Sequence, residues 1–155
     1  MDEILILSAL LLFTVSSSRT GVGSIRKTRF IQAYSSAGQV NKALGLKTSG
    51  GAGVYLIKDR GQLAYIGYSG TNLYKTFTRH FQSWDDPQQQ RVTYPQAAHI
   101  TARIVYTRTA QQAAALERAL ILKYRPKDNP NKLTSYEMEP KHEKIIEQHY
   151  EECPF

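Results

Sequence analysis

The sequence predicts a small α/β (α+β) domain, with an antiparallel three-stranded sheet flanked by helices. Three observations carry this. Residues 54–57 (VYLI) and 63–66 (LAYI) are short apolar runs rich in β-branched and aromatic side chains, separated by a polar loop that contains Gly61, the pattern of a β-hairpin. Residues 100–107 (ITARIVYT) alternate and are β-branched, which makes a third strand. Leu73, Phe77 and Phe81, and then Leu116, Leu120 and Tyr124, recur every four residues, the spacing of two helical faces. The order strand–strand–helix–strand–helix gives a compact layered unit.

Each element has local support. Gly53 precedes the first strand and Gly67 follows Tyr65 and Ile66 in the second. Tyr55 and Tyr65 are expected on one face, with the glycines leaving room for a ligand to approach. Thr71 or Asn72 caps the first helix, which fades near Trp84. Residues 87–99 (PQQQRVTYPQAAH) hold two prolines and read as a surface loop carrying Arg91, Tyr94 and His99. Thr109 caps the helix over 111–124 and Pro126 stops it. An irregular basic segment follows over 125–132, and then an acidic helix over 140–151.

The chain divides into four stretches: 1–18, an apolar N-terminal segment; 19–50, a basic lead-in; 51–132, the central domain; and 133–155, an acidic tail. Residues 4–15 (ILILSALLLFTV) are shorter than the ~20 residues of a spanning helix. They read as a cytoplasm-facing anchor, as a signal-like core, or as a packed element, and the leading acids Asp2 and Glu3 are unlike those of a signal peptide. In the lead-in, residues 39–44 form a short helix ended by Gly45, and residues 48–51 form a hinge.

Charge is unevenly spread. Residues 19–132 hold eighteen Lys and Arg against five acids, whereas the tail from 133 holds two against six, within an overall net charge of +7. A middle this basic suits a polyanion, with nucleic acid first and an anionic membrane second. The acidic tail is either a solvated helix or a cover for the basic groove. The lone Cys153 excludes an internal disulfide framework and fits a reducing, cytoplasmic setting. His142, His149 and Cys153 have helical spacing but lack a fourth metal ligand.

Residues 53–55 (GVY) and 65–67 (YIG), followed by Asn72-Leu73 opening a basic helix that ends in His80-Phe81, then Glu117, then residues 124–129 (YRPKDN), resemble the ordered signature of the GIY-YIG endonucleases. The resemblance covers about residues 51–132. It implies a GIY-YIG nuclease-like fold and a metal-dependent endonuclease that hydrolyses DNA phosphodiester bonds, of the mobile-element, phage, repair or restriction type. The alternative is a catalytically silent nucleic-acid-binding module on the same fold. The implied catalytic residues are Tyr55, Tyr65, Arg79, His80, Glu117 and Asn129. Tyr55 acts as general base or water-orienting group with a lowered pKa, and Glu117 binds one divalent cation, Mg²⁺ or Mn²⁺. The family carries an arginine four residues before the histidine, where this chain has Thr76. Arg79 is the expected replacement, with Lys75 as a substitute. Lys75, Arg91, Tyr94 and Lys127 are expected to contact DNA, double-stranded by preference.

Overall fold

The polar loop between the first two runs closes in two residues, Arg60 and Gly61, both at positive φ (49° and 81°). That is the handed turn that matches the twist of a tight hairpin. The computed structural model describes residues 27–82 and 91–137. The predicted N-terminal anchor, residues 87–90 of the predicted surface loop, the acidic helix over 140–151 and the His142, His149 and Cys153 cluster lie outside those residues. Strand β1 is Ile31–Gln32, β2 Gly53–Asp59, β3 Gln62–Ser69 and β4 Ile100–Tyr106; helix α1 is Leu73–Thr78, α2 Ala110–Tyr124 and α3 Pro130–Glu137.

The described residues form one four-stranded antiparallel sheet, ordered β1-β4-β2-β3. The sequence predicted three strands. The fourth, β1, comes from the lead-in and pairs Ile31 with Ala102 and Gln32 with Thr101. It is too short to show a two-residue period. The lead-in contributes to the core as well: Tyr34 and Leu44 are buried, and the Tyr106 hydroxyl donates to the Leu44 carbonyl at 2.7 Å. The short helix predicted over 39–44 is one 3₁₀ turn, Lys42–Leu44, capped by Asn41 and ended by Gly45 at φ 66°.

Two cores lie on the two faces of the sheet. Tyr55, Ile57, Ile100, Ala102 and Ile104 pack against Leu73, Phe77 and Phe81 of the α1 segment. Val54, Leu56 and Ile66 pack against Ala113, Leu116 and Ile121 of α2. Alternation along β2 therefore sends odd-numbered residues to α1 and even-numbered ones to α2. No helix among the described residues is long and apolar enough to cross a membrane.

Caps set the helices. Asn72 Oδ1 accepts from the Lys75 amide at 2.9 Å, and Thr109 Oγ1 accepts from the Gln112 amide at 3.1 Å. Helix α1 ends at Thr78 and tightens into a 3₁₀ turn over Arg79–Phe81, earlier than the apolar spacing suggested. Arg125, at φ 48°, closes α2 ahead of Pro126. The segment expected to be irregular through Lys132 instead turns helical at Pro130, whose fixed φ suits a first helical position.

Candidate active site

Strand β3 is the free edge of the sheet, so its outward N–H and C=O groups need partners. Asn129 supplies both: its Oδ1 accepts from the Ile66 amide at 2.8 Å and its Nδ2 donates to the Ile66 carbonyl at 2.9 Å. One residue earlier, the Asp128 amide donates to the Ala64 carbonyl at 2.9 Å. Ala64 is the extra residue of a bulge, since Ile57 pairs with Tyr65 and Lys58 with Leu63. The closing segment thus acts as a fifth strand in miniature. Asn129 is buried and holds the edge in place.

Beside this edge opens a cavity of about 340 Å³. Tyr55, Tyr65, His80 and Thr76 line it from the α1 side; Tyr68, Asn131 and Lys132 line it from the α3 side, with Arg91 and Val92 at its rim. Tyr55 pairs across the hairpin with Gly67. A Cβ at Gly67 would stand 2.4 Å from the Tyr55 Cζ and hydroxyl and 2.8 Å from Tyr65 Cε1. The space the glycine leaves is therefore filled by the Tyr55 ring, and a ligand does not approach there. Tyr55 and Tyr65 stack with centroids 6.2 Å apart on one face, as predicted.

The Tyr55 hydroxyl lies 2.8 Å from His80 Nε2, and His80 Nδ1 lies 2.7 Å from the Val92 carbonyl. A carbonyl only accepts, so Nδ1 carries the proton and donates. Nε2 is then the acceptor, and Tyr55 donates to it. Burial lowers the His80 pKa and keeps the ring neutral. Burial also raises the Tyr55 pKa well above the ordinary tyrosine value, with Tyr65 and Glu117 adding to the rise. This reverses the expected lowering: a 2 % exposed phenol pays for its desolvation more than the nearby cations return. The Tyr65 pKa is raised too, by burial first, while Lys132 acts against the rise.

Glu117 is fully buried on α2. Its Oε1 accepts from the Lys132 ammonium and its Oε2 from the Tyr136 hydroxyl at 2.8 Å. Burial and Glu117 raise the Tyr136 pKa, so the phenol stays a donor. Both carboxylate oxygens are thereby engaged, and no cluster of three His, Cys, Asp or Glu exists among the described residues. As placed, a divalent ion at Glu117 would have to displace the Lys132 ammonium from Oε1.

Most of the remaining predicted residues fall outside the cavity wall. Arg79 and Lys75 do not line it. The 3₁₀ turn presents His80, not Arg79, to Tyr55: residues three apart eclipse in such a turn, so Phe77 and His80 both face that ring. Tyr94 is buried, with its hydroxyl donating to Asp128 Oδ2 at 2.6 Å, and braces the closing segment from the core rather than offering a surface. Lys127 reaches Asp59 at 3.5 Å, away from the cavity. Of the four predicted DNA contacts, Arg91 alone lines the cavity. Lys132 and Tyr136 were not anticipated. Lys132 is one more base in a basic stretch, and only the fold of α3 brings it to Glu117.

The family model described as the UvrC-like GIY-YIG domain matches residues 51–130. The chain belongs to the GIY-YIG family. Membership carries a nuclease-type function and DNA as the partner at the level of the family. The α+β fold with an antiparallel sheet flanked by helices agrees with it. No curated protein and no solved structure matches the chain. The GIY-YIG signature tyrosines are thus Tyr55 and Tyr65, on β2 and β3, and the cavity they line is the candidate active site.

Proposed function

We propose that this GIY-YIG protein is an endonuclease that hydrolyses phosphodiester bonds of duplex DNA in the cavity beside β3. The observation that carries the reading is the Tyr55–His80–Val92 chain of hydrogen bonds opening into that cavity. The neutral His80 ring accepts from the Tyr55 hydroxyl at Nε2, which carries no proton. A cavity water gives a proton to the Tyr55 oxygen as Tyr55 passes its own proton to Nε2. The water oxygen then attacks phosphorus, the P–O bond to the leaving oxygen breaks, and solvent protonates the leaving group. The net transfer is one proton to His80. Tyr55 works as a relay and never accumulates as phenolate, which suits its raised pKa.

The test is nicking of supercoiled plasmid in magnesium buffer by the native chain, Tyr55→Phe and Glu117→Ala. The native chain nicks, and Tyr55→Phe falls by about 10² or more, the usual scale for a lost proton-transfer group. Undiminished cleavage by both variants rejects this site. A second reading, a silent DNA-binding module, is favoured by Thr76 at the family's arginine position. Salt-sensitive binding of duplex by a native chain that does not nick would support it.

A further inference from the structure

Lys132 is placed with unusual definition for a lysine. Its ammonium is bonded to Glu117, a side chain with no exposed surface. Helix α3 is fixed to α2 at the same point. Arg118 Nη2 donates to the Tyr136 carbonyl at 3.0 Å, and its guanidinium lies 4.8 Å from the Tyr136 ring centroid. The Tyr136 hydroxyl takes the second oxygen of Glu117. The Lys132 Nζ also lies 5.6 Å from the Tyr68 ring centroid, a cation–π distance. The side chain is 40 % exposed and lines the cavity. An ammonium has three donors, and Glu117 uses one. A phosphate in the cavity would find the others on the wall opposite His80. The helix α1 positions Thr76, Lys75 and Arg79 supply no such group to the cavity.

We propose that Lys132 is a catalytic residue of this enzyme: its ammonium, aimed by Glu117 and Tyr136, contacts the scissile phosphate and neutralises the charge that builds on its oxygens. Glu117 and Tyr136 are positioning residues for it. The inference rests on the reading of the cavity as a nuclease site. A fixed cation at a partly buried phosphoryl group stabilises developing charge more than a solvated one does. A lysine suffices where one point charge, and not a planar fork, is needed.

The experiment uses the full chain, Lys132→Met and Lys132→Arg, with two readouts: plasmid nicking, and binding of a plain 20-bp duplex across a salt series. Thermal melting confirms that each variant is folded. Lys132→Met is expected to lose about 10²–10³ in nicking rate and to flatten the plot of log affinity against log salt by about 0.9, the signature of one lost phosphate contact. Lys132→Arg, which keeps the charge, is expected to retain the slope and part of the rate. An unchanged slope overturns the proposal, even if nicking falls, because Lys132 would then act only through Glu117. If the native chain binds but never nicks and the slope still falls, the endonuclease reading fails while the phosphate contact by Lys132 stands.

Discussion

Gly67→Ala removes no reacting group, yet it is expected to silence the site. The added Cβ would lie 2.4 Å from two atoms of Tyr55, where carbon atoms normally rest about 3.5–4.0 Å apart. The ring has to recede by about 1 Å or more. It cannot do so freely, since Phe77 meets it edge-on at 5.6 Å and Tyr65 and His80 close the other sides. Overpacking of this kind costs about 1–3 kcal/mol, which for a chain of this size lowers Tm by several degrees. The catalytic cost is larger. A hydroxyl displaced by about 1 Å leaves its 2.8 Å bond to His80, and misplacement on that scale costs about 10² in rate. Melting by circular dichroism and plasmid nicking measure the two effects. A Tyr55→Leu background isolates the cause: with the ring gone, the stability penalty of Gly67→Ala should shrink by 1 kcal/mol or more, on the order of a direct coupling. Equal penalties in both backgrounds, or full nicking by Gly67→Ala, would refute the steric argument.

Three other outcomes follow from the geometry. Asn129→Asp loses the donor to the Ile66 carbonyl and sets a carboxylate against it, so unfolding free energy should drop by about 2–3 kcal/mol in urea melts; a loss below about 0.5 would mean the β3 edge is held elsewhere. Because burial depresses the His80 pKa, the folded protein takes up that proton later than the unfolded chain. Stability from this group is complete above pH 6.5 and falls as pH drops from 6.5 through the lower folded value, and nicking falls with it; an NMR titration midpoint for His80 at or above 6.5 contradicts this. Lys132→Met frees Glu117 Oε1, so Mn²⁺ should bind it about tenfold more tightly by calorimetry than it binds the native chain, whereas Glu117→Gln in the Lys132→Met background should abolish the gain. An unchanged affinity would mean the ammonium does not compete for the carboxylate.

Short-range chemistry made much of this protein legible from its sequence. Hairpin, caps and the two helical faces depend on neighbours within four residues, and Asn72, Thr109 and the β2–β3 pairing stand as read. The Tyr55 and Tyr65 pair depends on the bulge at Ala64, which shifts Tyr65 onto the face of Tyr55; regular alternation from the Arg60-Gly61 turn would put the two on opposite faces. Glu117 and Asn129 were legible only through family spacing, because a buried glutamate and a buried asparagine look like surface residues in a string of letters. Strand β1 escaped because two residues carry no period. Arg79 was read as the stand-in because it is the arginine on that helix; that it does not line the cavity depends on the 3₁₀ turn over Arg79–Phe81, which the letters do not show. Tyr94 looked like a loop aromatic, and its burial depends on Phe81 and Asp128, which lie 13 residues before it and 34 after it.

The edge of β3 explains why the site needs residues so far apart in sequence. An unpaired edge beside a cavity would leave Ile66 with two orphaned backbone groups and leave Tyr65 poorly held. Asn129 removes that problem, and the same segment then turns at Pro130 into α3. Because Asn129 is bound on one side and Arg118 holds Tyr136 on the other, Lys132 between them has little freedom in where its backbone sits. Edge protection and delivery of a cation are therefore one structural act. A variant that loosens Asn129 should lose both stability and the Lys132 contact. Lys132→Met also costs stability, because Glu117 is left buried with one oxygen unpaired, so Lys132→Arg, which keeps the charge, is the variant that separates the contact from the scaffold on the same short segment.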